Sequence, residues 1–92
     1  MEIIVETYRN PGEPSSRPIR VRPLPGQAFS EHYRVWCSVE MRRSKPVGSL
    51  YRVRVSLVHQ PHGDSYLRVG LYDEWIPVTF EQAKRFIKKN SR

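Results

Sequence analysis

Ninety-two residues make one small domain, and a chain this short buries only roughly 60–65% of its unfolded surface, so the core must be thin. Sixteen Lys and Arg against nine Asp and Glu give a formal charge of +7, and most of the bases are arginine, whose planar fork suits phosphate; an anionic partner is expected, nucleic acid foremost. One cysteine excludes an internal disulfide or a multi-cysteine zinc site, no apolar run approaches the ~18 residues of a membrane span, and the first nine residues lack the pattern of a secretory signal, so a soluble cytoplasmic protein is expected.

Taken in chain order, residues 2–9 are rich in β-branched side chains and read as a short strand ended by Asn10, Pro11 and Gly12. Residues 10–18 carry three prolines, a glycine and two serines and are expected to be a loop. In residues 19–24, Ile19 and Val21 alternate with Arg20 and Arg22 while Pro18, Pro23 and Pro25 flank them, which predicts a short edge strand. Residues 26–30 connect it to the next element.

The clearest pattern is a meander over residues 31–72, with strands predicted at 31–42, 49–59 and 66–72. Tyr33, Val35, Cys37, Val39, Met41, Val53, Val55, Leu57, Leu67, Val69 and Leu71 fall on one parity, and Arg34, Trp36, Glu40, Arg42, Arg52, Arg54, Tyr66, Arg68 and Tyr72 on the other. Respecting parity sets Trp36 opposite Ser56, Ser38 opposite Arg54, Glu40 opposite Arg52, Ser56 opposite Arg68 and Arg52 opposite Tyr72. The inner face then holds rows of Val39, Val53 and Leu71, of Cys37, Val55 and Val69, and of Val35, Leu57 and Leu67. Cys37 reads as a small buried hydrophobe.

Thr79 and Gln82 form a T-x-x-Q capping box that opens a helix over residues 79–89. Phe80, Ala83, Phe86 and Ile87 share one stripe, and Lys84, Arg85, Lys88 and Lys89 lie away from it. The predicted fold is therefore α+β: a single domain with an antiparallel sheet of four to five strands, a meander at its centre, and this C-terminal helix packed on the aliphatic face.

No common nucleotide-binding, hydrolase or metalloprotease motif occurs, and neither a cofactor nor a small-molecule substrate is implied. His59, His62 and Asp64 cluster in one turn where a metal ion or acid–base work on a phosphodiester is conceivable, but Gly63-Asp64 is sound turn chemistry by itself. No metal is expected, and a metal-independent ribonuclease is a minor alternative. The leading expectation is a binding platform for single-stranded nucleic acid or another polyanion, with phosphate contacts from Arg34, Arg52, Arg54 and Arg68 and stacking by Trp36, Tyr66 and Tyr72. Lys84, Arg85, Lys88 and Lys89 would form a secondary basic patch. The same aromatics and arginines also suit a protein-interaction face, and a homodimer is expected.

The order of helices speaks against RRM and double-stranded-RNA-binding domains, and an OB-fold places a helix after its third strand, where the pattern offers only a loop. Over residues 76–87, where a strand gives way to a Thr cap and Glu81-Gln82 begins a helix, the chain resembles the single-stranded-DNA-binding transcriptional coactivators. That resemblance is topological and assigns no residues.

Overall fold

The computed structural model describes residues 1–9 and 19–90; the loop expected at 10–18 lies outside them. Six strands, β1 (Glu2–Tyr8), β2 (Arg20–Pro23), β3 (Val35–Trp36), β4 (Leu50–Val58), β5 (Tyr66–Val69) and β6 (Trp75–Val78), form one mixed sheet. A short helix α1 (Val39–Arg43) joins β3 to β4, and α2 (Phe80–Asn90) follows β6. The strand order is β2-β1-β4-β5-β3, with β6 also on β4, and among the described residues only β3 and β5 run parallel. The two ends of that path, β2 and β3, come into contact, so the sheet curls into a nearly closed barrel.

The α+β class holds, and the meander is realised only in part. The β4–β5 hairpin forms in the expected register, with Ser56 opposite Arg68. β3 instead pairs with β5, setting Val35 beside Leu67 and Trp36 beside Arg68, so Trp36 does not face Ser56. Arg54 and Arg52 face Glu2 and Ile4 of β1, not Ser38 and Glu40. The reason is local. Ser38 Oγ accepts a hydrogen bond from Met41 N at 3.1 Å, Glu40 occupies the first turn of α1, and Arg42 and Arg43 occupy the last. A serine cap and good helix formers override the two-residue alternation, and Met41 is fully buried from a helix, not a strand.

The strand expected at 66–72 also breaks. After Val69, residues 70–74 leave the sheet, and the chain rejoins β4 as β6, which puts Ile76, not Tyr72, opposite Arg52. Leu71, Val39 and Leu57, expected in the inner rows, are exposed. The helix between β3 and β4 supplies the element whose absence from the pattern speaks against an OB-fold. The strand order, the parallel β3–β5 pair and the seam between β2 and β3 together describe a partly open barrel.

The barrel interior takes Ile3, Val5, Tyr51, Val53, Val55, Leu67 and Val69, with Val21 and Val35 from the seam strands and Met41 beneath them. Phe29, Tyr33, Cys37 and Trp75 pack against this core. The C-terminal helix does not cover that face. α2 crosses the outside of β1 and β4, where Ala83 and Ile4 are both fully buried and the Phe86 ring stands 5.9 Å from the Arg52 guanidinium. Ile4 has the parity opposite to Ile3 and Val5, so β1 is covered on both sides, as a run of consecutive apolar residues requires. The capping box forms as expected: Thr79 N donates to Gln82 Oε1 at 2.9 Å, and Gln82 N to Thr79 Oγ1 at 3.1 Å. Phe80, assigned to the apolar stripe, is exposed.

Beyond the end of β2, Gln27 acts as a substitute strand. Its Oε1 accepts from Ile4 N at 2.7 Å, and its Nε2 donates to Ile4 O at 2.7 Å and Leu24 O at 3.0 Å.

Candidate nucleic-acid interface

The seam between β2 and β3 opens into a groove of about 1080 Å³. Arg20 and Arg22 of β2 stand on one bank, and Arg34 and Trp36 on the other, with Arg68 from β5 and Arg42 and Arg43 from α1. Trp36 is 67% exposed. Its partner Val35 points into the barrel, so alternation turns the indole outward, beside Arg68 in register and on the same side as Ser56 and Arg54.

The arginines divide into two groups. Arg22 Nε lies 2.8 Å from Glu6 Oε1 and its guanidinium sits 4.3 Å over the Tyr8 ring; the hydrogen bond to Glu6 raises its already high pKa. Arg52 Nε lies 3.4 Å from Glu2 Oε2, near enough to pair electrostatically but without the alignment of a hydrogen bond. Both pairs draw on the carboxylates of β1. Among the described residues, Arg34, Arg42, Arg43 and Arg68 have no carboxylate within ion-pair distance, although Glu31 lines the same groove. Arg42 donates from Nη1 to Ile19 O at 3.5 Å, and its Nε is buried with no partner. Arg34, Arg43 and Arg68 thus bring to the groove guanidinium groups with no carboxylate partner among the described residues.

Of the side chains expected to bind, Arg34, Trp36 and Arg68 meet in this groove. Arg52 is removed from it, held between Glu2 and Phe86 beneath α2. Arg54 is exposed on β4 outside the groove lining, and Tyr66 is half-buried at the start of β5, opposite Val58. Tyr72 is 99% exposed in the 70–74 excursion. Arg43 and His32 line the groove without having been singled out by parity, and Tyr33, assigned by parity to the inner face, lines it too. The adjacent pair Arg42-Arg43 would have marked them only once residues 38–43 were read as a helix. No family model, no curated protein and no solved structure matches the chain. The chemistry of the groove is what speaks to function.

Lys84, Arg85, Lys88 and Lys89 are exposed on α2, and Lys84 Nζ stands 5.4 Å from the Phe80 ring. Because α2 lies across the middle of the strand path and the groove lies at its ends, the two basic surfaces are on different sides of the barrel. Among the described residues, no three His, Cys, Asp or Glu side chains stand close enough to share a metal ion, and no helix is long and apolar enough to cross a membrane. His59 Nδ1 approaches Ser65 Oγ at 3.4 Å on the exposed β4–β5 turn, apart from the groove. Burial pushes the Cys37 thiol up to about 11 against the opposing pull of Arg42, which leaves it a protonated packing group at neutral pH.

Proposed function

We propose that the protein binds single-stranded nucleic acid along the β2–β3 groove, as a binding module without catalysis. Arg34, Arg42, Arg43 and Arg68 contact successive phosphates, and Trp36 stacks on a base between them. The observation that carries the reading is an exposed indole surrounded by arginines that lack carboxylate partners among the described residues. Phosphates satisfy the free guanidinium donors, and an unpaired base offers the flat face that a duplex keeps inside its stack. OB-type barrels bind oligonucleotides across this same pair of strands, which supports the location but does not by itself assign a ligand. Relative to the sequence-based assignment, Arg52 and Arg54 leave the phosphate-contact set and Arg42 and Arg43 enter it.

Anisotropy titration of labelled DNA and RNA homopolymers at about 50 mM salt tests the proposal, because the phosphate contribution is strongest there. Binding that Trp36→Ala weakens about 5- to 150-fold is the expected result. No binding by the wild-type protein refutes it. A second reading, homodimerisation through the groove, is favoured by Val39 and Leu71, whose exposed side chains lie beside Trp36. Sedimentation decides between them: a dimer that Trp36→Arg dissociates assigns the groove to a second copy.

A further inference from the structure

We infer that the 70–74 excursion is a base clamp, in which Tyr72 stacks on a nucleobase beyond the one held by Trp36, so that the groove recognises a strand bearing bases and not charge alone. The inference rests on the nucleic-acid reading of the groove and names what that groove must select.

The excursion is a built feature. Val55 faces Val69 and Val53 faces Trp75, so five residues pass where one, opposite Arg54, would complete the strand. The turn is held shut by Gly70 N donating to Asp73 Oδ2 and Asp73 N donating to Gly70 O, both at 3.1 Å. The Asp73 carboxylate sits close over Gly70, where a Cβ would stand 2.7 Å from Oδ2, so a larger residue there would push the carboxylate off the Gly70 N–H. The loop therefore holds its shape in the free protein, and that shape exposes Leu71 by 76% and Tyr72 by 99%. A chain with so thin a core gains nothing from holding a tyrosine ring in water, and Tyr72 has no hydrogen bond or ring contact among the described residues.

Position and charge then select the partner. Leu71 lines the groove together with Trp36 and Arg68, which places the loop at the groove's edge. Asp73 and Glu74 follow immediately, and carboxylates repel a phosphate backbone. The tip is thus wrong for a polyanion and right for the neutral face of a base, while Arg68, two residues before Gly70, takes the adjoining phosphate. Closure of the turn by Asp73 lowers the cost of ordering the backbone at Tyr72 when the strand arrives, leaving only the ring's own rotamers to be fixed.

The test compares a labelled oligonucleotide with inorganic polyphosphate, using wild type, Tyr72→Ala and Tyr72→Phe. Tyr72→Ala is expected to lower oligonucleotide affinity about 5- to 150-fold while leaving the salt dependence and polyphosphate affinity unchanged, and Tyr72→Phe is expected to bind as wild type does. An unchanged melting temperature shows that each variant folds. If wild type binds the oligonucleotide and Tyr72→Ala matches it, the clamp is wrong and the groove reading survives. Equal losses for oligonucleotide and polyphosphate also overturn the clamp, as does a wild-type dimer that Tyr72→Ala dissociates, which would give the loop to a second copy. Failure of wild type to bind any oligonucleotide removes the groove reading and the clamp with it.

Discussion

Replacing Arg68 with glutamine separates groove phosphate contacts from general surface charge. With four guanidinium groups each neutralising one phosphate, the slope of log affinity against log salt for a single strand is about −2.8, at roughly 0.7 per contact. Between about 50 and about 200 mM salt the wild-type protein should lose about 50-fold in affinity. Arg68→Gln removes one contact, which brings the slope to about −2.1 and the loss over the same interval to about 20-fold. Arg52→Gln supplies the control. It lowers the formal charge equally, but Arg52 lies outside the groove lining, between Glu2 and the Phe86 ring of α2, so the slope should remain at the wild-type value. Anisotropy titrations of one labelled oligothymidylate at four or more salt concentrations measure all three slopes. Equal slopes for the two variants would show that the strand responds to net charge and not to this groove, and the assignment of Arg68 would fall.

Gln27→Ala leaves Ile4 N buried without a partner, whereas Ile4 O keeps the bond from Leu24 N at 3.0 Å. One orphaned donor costs about 1–3 kcal/mol. In a chain of this size that lowers Tm by roughly 5–20 °C, and calorimetry showing no change would remove Gln27 from its strand-like role. The Cys37 thiol is raised from its ordinary 9.0 to about 11 in the folded protein, so the native state holds this proton more tightly than the unfolded chain. Its contribution to stability is complete below pH 9 and is lost as the pH rises toward 11. Denaturant titrations of wild type and Cys37→Ala across that range should converge or cross in this direction; parallel curves would mean that burial does not perturb the thiol.

What could be read from the sequence follows how local each signal is. Thr79 and Gln82 lie three residues apart and announce their helix without help from the rest of the chain. The register of β4 with β5 is set by a short turn and by two aliphatic rows, and it forms as parity requires. Residues 37–41 are ambiguous, because Cys37, Val39 and Met41 alternate as a strand while Ser38 and Met41 carry helical spacing. Burial of Met41 under the barrel decides for the helix, and that burial depends on strands distant in sequence. The pairing of β3 with β5 in parallel cannot be deduced from alternation alone, since either partner keeps Val35 inside and Trp36 outside. For the same reason the outward direction of Trp36 and Arg68 was legible, while the bank of arginines facing them across the seam was not. The consecutive Ile3, Ile4 and Val5 carry the signature of a strand covered on both faces, but the alternation of residues 31–72 drew the helix to the wrong face, and the seat of α2 on β1 and β4 was not read.

The adjacency of β1 and β4 bears on how the chain reaches this form. Residue 2 pairs with residue 54, so about fifty residues must be gathered before the central ladder can close, at an entropic cost of about 3.5 kcal/mol apart from a constant term. Barrels dominated by such distant pairings fold in milliseconds to seconds, not microseconds. During synthesis β2 can pair with Val5 to Tyr8 of β1, but Ile3 and Ile4 wait for their partners on β4 to leave the ribosome, and in that interval an attendant chaperone would have most to shield.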